Sequence, residues 1–446
     1  MFKLFKYLKP YWWQCILLIF GIAAQTYLTL QLPAMMADIV NYGITPGDQA
    51  YISTTGFKML GLALAASLAA LVAHFFSARV GSAFARDLRS DFYQKVLSFS
   101  ISEIDDFSTA SLITRTTNDI GQVQQAVMMM LTMMLRAPLM GIGAVFQAYQ
   151  TAPDMTWTIA AGVGAIIFFA AIILGLTVPK FKIYQKTFDQ VTLLARENLT
   201  GLRVIRAFNN ESLERAKFEK QNSKLTQLAI FIDKIFAFQD PLIEIVFNGI
   251  TLLIVWISIS HFATDLTYLG DMVAFVQYAT QVFISFLILT MLLFVLPRAN
   301  VSAGRINEVM QVKSKIHWKP QTEGTPSRTP SVEFKNVSFA YTGAEENVLT
   351  NISFKANAGE TTAFIGSTGS GKSTLVSLVP RFYEATSGEI LVDGLNIKNY
   401  AAEDLMKRIG YVPQKGILFE GSIRSNIAFG NPDARATDVH KSARIA

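Results

Sequence analysis

Long runs of apolar residues dominate the first 300 positions of the chain. A helix that crosses a membrane needs about 20 consecutive residues of mainly apolar character. Six stretches meet this requirement, centred on residues 16–34, 57–77, 127–149, 157–178, 241–262 and 272–297. The pattern predicts six membrane spans, and no such run follows them.

The connections between these stretches differ in basic residues. Three of them contain neither lysine nor arginine: 35–56, 150–156 and 263–271. The two long connections are basic, one from Arg79 to Arg115 and the other from Lys180 to Lys234. Since cytoplasmic loops are enriched in lysine and arginine, we expect both termini and both long connections in the cytoplasm. The protein would then be a multi-pass protein of the plasma membrane.

The long connections have a helical pattern. Apolar side chains recur every three or four residues from Phe181 to Ile205, and such a helix would extend roughly 45 Å beyond the membrane. At the N-terminus, Lys3, Lys6 and Lys9 would share one face of a short helix lying in the membrane interface. A simple basic flanking segment is the alternative.

Composition narrows the class of protein. Hydrophobic residues make up 51% of the chain and charged residues only 16%, against about 25% charged in soluble domains. The net charge of +6 comes from basic residues beside the spans, so no nucleic-acid partner is expected. The single cysteine, Cys15, excludes an internal disulfide and a multi-cysteine metal site.

A polar stretch with three prolines, residues 311–330, separates two domains and is interpreted as a linker. Residues 1–310 would form the transmembrane domain. In residues 331–446, Val332–Phe339 alternates like a strand, the apolar residues 361–365 suggest a second strand, and a helix is expected from Lys372. This order predicts the beginning of an α/β domain.

The segment Gly366–Thr374 reads GSTGSGKST and fits the phosphate-loop pattern G-x-x-x-x-G-K-[ST]. Glycines let backbone N–H groups surround phosphate oxygens, and the following helix N-terminus favours negative charge. Lys372 would reach the β- and γ-phosphates of ATP, and the Ser373 hydroxyl would bind Mg²⁺. The expected nucleotide-binding residues here are Gly366, Ser367, Thr368, Gly369, Ser370, Gly371, Lys372, Ser373 and Thr374.

Beyond this motif, the whole chain resembles ABC transporters of the multidrug-exporter type, most of all a subunit of the bacterial heterodimeric exporters. The matching segments are 92–120, 196–211, 332–341, 366–374 and 409–430. The resemblance implies a six-helix, all-α transmembrane domain followed by a P-loop nucleotide-binding domain. It also implies that segments Phe107–Ile113 and Phe208–Glu214 are coupling helices.

Two further site residues come from the resemblance. Tyr341 corresponds to the aromatic residue that stacks on adenine, and Gln414, after a YVP strand, to the glutamine that meets Mg²⁺ and the attacking water. Lys372 and Gln414 would then be the catalytic residues, and Ser373 and Gln414 the metal ligands. The alternatives are a Tyr341 that packs on the core and a Gln414 that is an ordinary loop residue.

The chain departs from the family after Gln414. No LSGGQ-like signature and no apolar strand ending in Asp-Glu follow, and His440 lies too early for the switch histidine. We expect a fragment of a longer gene product in preference to a naturally short protein. With its catalytic set incomplete, this stretch of chain alone is expected not to hydrolyse ATP.

The function expected is ATP-driven export of amphiphilic or hydrophobic small molecules, of multidrug or lipid type, by this chain and a second half-transporter in the bilayer. A heterodimer is favoured over a homodimer. The alternative is an ATP-binding regulatory half that does not hydrolyse ATP. The substrate cannot be identified from the sequence.

Polar and soft residues inside the spans leave two alternatives open. Arg136 and Glu244 would either flank the transport pathway, or form a structural ion pair or snorkel near the inner interface. The methionines 128–130, 133 and 134 would either line an adaptable binding cavity or pack against lipid and protein.

Overall fold

The computed structural model describes residues 1–262 and 268–446. They divide into two compact units. The first comprises Met1–Tyr93 and Ile113–Met310, and the second Gln94–Leu112 and Gln311–Ala446. The chain therefore crosses between the units three times, and the second unit includes a piece of the first long connection.

Helices account for nearly all of the chain before the linker. A 3₁₀ helix (Phe2–Tyr11) precedes the α-helices α1 (Trp12–Asp38), α2 (Gln49–Leu97), α3 (Ile101–Phe107), α4 (Thr109–Thr114), α5 (Ile120–Thr151), α6 (Thr156–Thr200), α7 (Leu202–Ala207), α8 (Glu211–Ala237), α9 (Gln239–Phe262) and α10 (Tyr268–Gln311). Two π-helices, Ile39–Ile44 and Arg115–Asp119, and a 3₁₀ turn, Pro153–Met155, lie between them.

The six predicted spans are confirmed within the described residues, because six helical segments are long and apolar enough to cross a membrane. Several helices are much longer than a span. Helix α2 has 49 residues and α6 has 45, and at about 1.5 Å per residue α2 alone is about 70 Å long. The helix expected from Phe181 to Ile205 forms, with an interruption at Gly201 between α6 and α7.

The ends of the helices follow from local chemistry. Ser100 and Glu103 form a capping box that starts α3. Ser108 has φ +59°, which no helix interior accepts, and it separates α3 from α4. Asn209 at φ +53° likewise turns the chain between α7 and α8.

The core of the first unit joins α1, α5, α6, α9 and α10. Large side chains such as Phe275, Tyr278 and Phe283 pack beside small ones such as Ala144 and Ala148, as expected where helices approach closely in a membrane. The Tyr278 hydroxyl donates to the Leu30 carbonyl at 3.1 Å. This bond satisfies a polar group that the apolar surroundings would otherwise penalise.

The N-terminal helix has the expected two faces. Lys3, Lys6 and Lys9 are exposed, whereas Leu4 and Tyr7 are buried. Residues three apart eclipse in a 3₁₀ helix, so the lysines form one row. The Tyr7 hydroxyl also donates to Asp91 at 2.8 Å, which ties the helix to α2.

Of the polar residues in the spans, Arg136 is half-buried and Glu244 is exposed, and within the described residues no ion pair joins them. The prediction that Arg136 and Glu244 form an ion pair with each other is therefore wrong. Met128 and Met129 line a cavity of about 470 Å³ together with His74, Gln124 and Gln125.

The second unit contains a four-stranded antiparallel sheet in the order β2-β1-β3-β4. Its strands are β1 (Ser331–Phe339), β2 (Leu349–Asn357), β3 (Ser387–Val392) and β4 (Leu395–Asn396), followed or interrupted by helices α11 (Lys372–Leu378), α12 (Ala402–Met406), α13 (Ile423–Ile427) and α14 (Ala436–Ile445). The core packs β1 and β3 against α11, through residues such as Phe334, Ile390 and Leu378. The predicted strand at Val332–Phe339 is confirmed.

Two predicted strands are wrong. Residues 361–365 and 411–413 form neither strand nor helix, and Ile365 and Val412 are 95% and 91% exposed. A strand needs a neighbour to bond its N–H and C=O groups. Among the described residues, neither segment has a partner in the sheet, so apolar composition alone does not make them strands.

Candidate functional site

The phosphate loop connects residue 365 to α11 through a backbone that only glycine accommodates easily. Gly369 and Gly371 have φ of +85° and +86°, in the left-handed region. At Gly371 a Cβ would lie 2.8 Å from the Leu349 side chain and 3.3 Å from the Val348 carbonyl oxygen. The second of these glycines is thus required by both conformation and space.

The ammonium group of Lys372 lies inside the loop. Its Nζ donates to the Gly366 carbonyl at 2.9 Å, to the Ser367 carbonyl at 2.6 Å and to the Ser370 hydroxyl at 3.2 Å. All three donors of the amine are therefore directed into the loop. A phosphate bound there would take over these donors, which is the role expected of this lysine.

The first turn of α11 carries the other loop residues. Ser373 is exposed and Thr374 is buried. The Ser373 hydroxyl is thus the more accessible side chain of this pair and the one that would hold Mg²⁺, in keeping with the preference of Mg²⁺ for oxygen ligands. Thr374 instead shares a hydrogen bond of 2.8 Å with the Tyr341 hydroxyl. This bond joins the end of the phosphate loop to the residues that follow β1.

Tyr341 follows β1 and belongs to an aromatic cluster with Phe339 and Tyr383. Its ring meets the other two edge-to-face, at centroid distances of 4.9 Å and 5.4 Å. The side chain packs on the core and remains 39% exposed. The ring can therefore pack on the core and still present an exposed face, so packing does not exclude stacking on adenine. The stacking of Tyr341 on adenine stays a prediction.

Gln414 lies in a segment without regular secondary structure, and it is exposed. Among the described residues, no hydrogen bond joins its side chain to the phosphate loop, whose lysine bonds only within the loop. Its predicted contacts with Mg²⁺ and water stay a prediction that the geometry does not test.

A contact that sequence reasoning did not predict links α3 to the nucleotide-binding part of the same unit. The Tyr383 hydroxyl donates to Asp105 at 3.0 Å, and Lys315 Nζ donates to Thr342 at 2.9 Å and lies 3.7 Å from Asp106. These contacts come from residues just before the predicted coupling segment Phe107–Ile113. The alternation of acidic and apolar residues in ISEIDDF was the available signal.

Glu103 fastens α3 to the linker. Its carboxylate accepts bonds from the backbone N–H of Ser100 at 2.7 Å, the Ser100 hydroxyl at 2.6 Å and the backbone N–H of Lys315 at 3.1 Å. Burial would raise the pKa of Glu103, but these bonds outweigh it and lower the pKa below its usual value. The group is therefore a charged, fully bonded anchor at neutral pH.

Two cavities of the first unit are lined in part by α5, and the larger one also by the last part of α10. The larger, about 910 Å³, is lined by residues that include Gln122, Gln125 and Arg298. The smaller is the methionine cavity described above, and Gln125 lines both. Polar and cationic groups therefore adjoin soft apolar ones in this part of the first unit.

Comparison with known families matches both parts of the chain. Residues 15–286 match the family described as ABC transporter transmembrane region, and residues 349–446 match the family described as ABC transporter. The chain belongs to the ABC transporter family. The family match, together with the six helices of the described residues that are long and apolar enough to cross a membrane, makes it a multi-pass membrane protein of the exporter type. Its second domain is that of an ATPase family that binds ATP.

Several curated proteins are similar over almost the whole chain. An uncharacterised ABC transporter ATP-binding protein of Mycobacterium tuberculosis is 35% identical over 99% of this chain and 76% of its own length. Another, of Bacillus subtilis, is 35% identical over 100% of this chain and 78% of its own. An ATP-dependent lipid A-core flippase of Desulfotalea psychrophila is 29% identical over 82% of this chain and 64% of its own.

The loop geometry predicts how nucleotide affinity responds to substitution in this ABC transporter. Lys372→Ala should weaken ATP binding on the order of 100-fold or more, because truncating one partner of a charge pair costs about 2–5 kcal/mol. Tyr341→Ala should weaken it less, since stacking of one base is worth about 1–3 kcal/mol. Fluorescence titration of the detergent-solubilised protein with a labelled ATP analogue measures both.

Tyr341→Phe is the matched control for this experiment, because it keeps the ring and removes only the bond to Thr374. It should bind ATP nearly as the wild type does. If Lys372→Ala and the wild type bind the ATP analogue with equal affinity, the assignment of the phosphate loop is wrong.

Proposed function

We propose that the protein is one half of an ATP-driven exporter that moves amphiphilic or hydrophobic small molecules, of lipid or drug type, out of the cytoplasm. One observation carries this proposal. Helix α2 begins in an apolar span of the first unit, and its last residues, with α3, belong to the unit that holds the phosphate loop. A change at the loop therefore has a covalent, helical route to the membrane.

The contacts of α3 support the same route. The Tyr383 ring adjoins Tyr341, the Tyr341 hydroxyl meets Thr374 of the loop helix, and the Tyr383 hydroxyl bonds Asp105 of α3. Rearrangement around bound ATP would thus reach α3 through three consecutive contacts. A carrier driven only by an ion gradient has no need of this arrangement.

The substrate class is proposed from the cavities. Arg298 forms no ion pair with any residue that the structure describes, so it is available to a polar or anionic head group. Met128 and Met129, in the adjoining cavity, suit an apolar tail of variable shape. The similar protein of Desulfotalea psychrophila is an ATP-dependent lipid A-core flippase, and this similarity supports a lipid-like substrate.

The second subunit and the nucleotide chemistry are also part of the proposal. One chain supplies six spans and one phosphate loop, so we propose a dimer, with a different half-transporter favoured over a second copy. ATP would be held by the loop and Tyr341, and Mg²⁺ by Ser373 and Gln414. An ATP-binding regulatory half that does not hydrolyse ATP is the second candidate.

Transport is tested in inside-out vesicles that contain the full-length protein and its partner. ATP should drive translocation of a fluorescent phospholipid or a cationic dye, and Lys372→Ala should reduce the rate at least about tenfold, since it removes the main cation at the phosphates. Lys407→Ala, which breaks only an exposed ion pair with Glu403, is the control. ATP binding without any ATP-dependent movement in wild type would favour the regulatory candidate.

The proposed orientation places both termini on the cytoplasmic side of the plasma membrane. In a Cys15→Ser background, cysteines at Asp48 and Asp154 should react with an impermeant maleimide on intact cells, whereas one at Asn210 should not, because basic connections stay inside. Asp265, a third expected outer position, lies outside the described residues. If the cysteine introduced at Asn210 is labelled from outside, the proposed orientation is wrong.

For residues 1–446 taken by themselves, we propose that ATP is bound but not hydrolysed. Hydrolysis needs a carboxylate that positions water and a partner signature segment in addition to the phosphate loop, and these residues contain no such motif after Gln414. The purified polypeptide should show Mg-ATPase activity no higher than its Lys372→Ala variant. Turnover well above that variant would contradict the proposal.

A further inference from the structure

Two segments of the first unit are joined by a row of polar contacts, and some of its members also line the larger cavity. One segment is the π-helix Arg115–Asp119 with the start of α5, and the other is the last part of α10. We call this row the polar seam; its members are Arg115, Asp119 and Gln122 on one side and Ser302, Arg305 and Glu308 on the other.

The seam is continuous and antiparallel. Arg115 donates to the Arg305 carbonyl at 2.7 Å and to the Glu308 carboxylate at 2.8 Å. Asp119 accepts from Arg305 at 2.9 Å and from Ser302 at 3.0 Å, while Ser302 also bonds Gln122 at 3.1 Å. Every third or fourth residue of one segment therefore meets every third residue of the other.

Burial makes this arrangement costly. Asp119 is 0% exposed and Ser302 is 1% exposed, and Oδ2 of Asp119 has no hydrogen-bond partner among the described residues. Asp119 is the buried end of an ion pair whose other end, the Arg305 side chain, is 46% exposed. Such a pair is weak evidence for a role in stability, because apolar replacements often serve as well, and fixing a register is its best-attested use. The π-helix, a rare form that is frequently found at functional sites, points the same way.

The position of the seam indicates which register is being fixed. The chain passes from one unit to the other between Leu112 and Ile113 and again between Met310 and Gln311. Arg115 and Glu308 each lie two residues from one of these crossings, and they are bonded to each other. The seam thus ties two of the three crossings together within the first unit.

We propose that the polar seam, with Asp119 at its centre, is a rigid joint that makes the start of α5 and the end of α10 move as one body during transport. The inference rests on the proposed export function. A displacement that arrives through the linker at Gln311 is then shared with α5 instead of bending α10 alone. Asp119 is a positioning residue, because it does not itself line the larger cavity and acts through Ser302 and Arg305, which do.

The test measures coupling in the assembled full-length transporter. Asp119→Ala should leave the affinity for the labelled ATP analogue within about twofold of wild type, and lower the amount of fluorescent phospholipid or dye moved per ATP hydrolysed about tenfold, within the range of roughly 5–150-fold typical of coupling between sites. The double variant Asp119→Arg with Arg305→Asp, which reverses the pair, should restore at least about half of the lost coupling. Lys407→Ala again serves as the control.

A purely structural role for Asp119 would give a different set of results. A lower melting temperature for Asp119→Ala with unchanged transport per ATP would show such a role and overturn the proposal, as would a double variant no better than Asp119→Ala. If Asp119→Ala does not reach the membrane, Asp119→Asn and Ser302→Ala are measured, and normal coupling in both overturns it. Failure of the wild type to transport at all would instead refute the export function.

Discussion

A membrane interior offers no water to bond a backbone N–H or C=O group, so each spanning segment must satisfy these groups within itself. This constraint explains why the spans of the first unit are helices. It also explains their length, because a helix that is already complete in the membrane can continue past it without a break. Helix α2 is unbroken over 49 residues in all, its span included, and ends in the unit that holds the phosphate loop.

Polar interactions are concentrated near the points where the chain leaves this helical framework. Glu103 accepts two bonds from Ser100 at the start of α3 and one from the backbone of Lys315, which fastens α3 to the linker. Asp119, fully buried, joins the start of α5 to the end of α10. In the apolar cores, by contrast, close contact between small and aromatic side chains holds the helices together. Dispersion thus builds the bundle, while directional bonds define where the chain enters and leaves it.

The phosphate loop illustrates how a short motif determines its own geometry. Glycine is needed at 369 and 371 because the backbone there is left-handed, and Lys372 can fold back only because those residues turn the chain. The amine then bonds the loop's own carbonyls. The conformation of this loop is therefore set mainly by its own residues. The position of Gln414, in a segment without sheet partners among the described residues, depends instead on the rest of the domain.

The sequence by itself determined the six spans, the long helices beyond them, the strand at Val332–Phe339 and the phosphate loop. Each of these depends on periodicity, on the length of an apolar run or on conformational rules, all of which act between residues close together in the sequence. Tertiary structure decided what depends on distant neighbours. Apolar composition predicted a strand at 361–365, and the family resemblance implied one at 411–413, but a strand forms only where another strand can accept its hydrogen bonds. The contacts Tyr383–Asp105 and Arg305–Asp119 join residues that are 278 and 186 positions apart, and no local pattern encodes which carboxylate meets which donor.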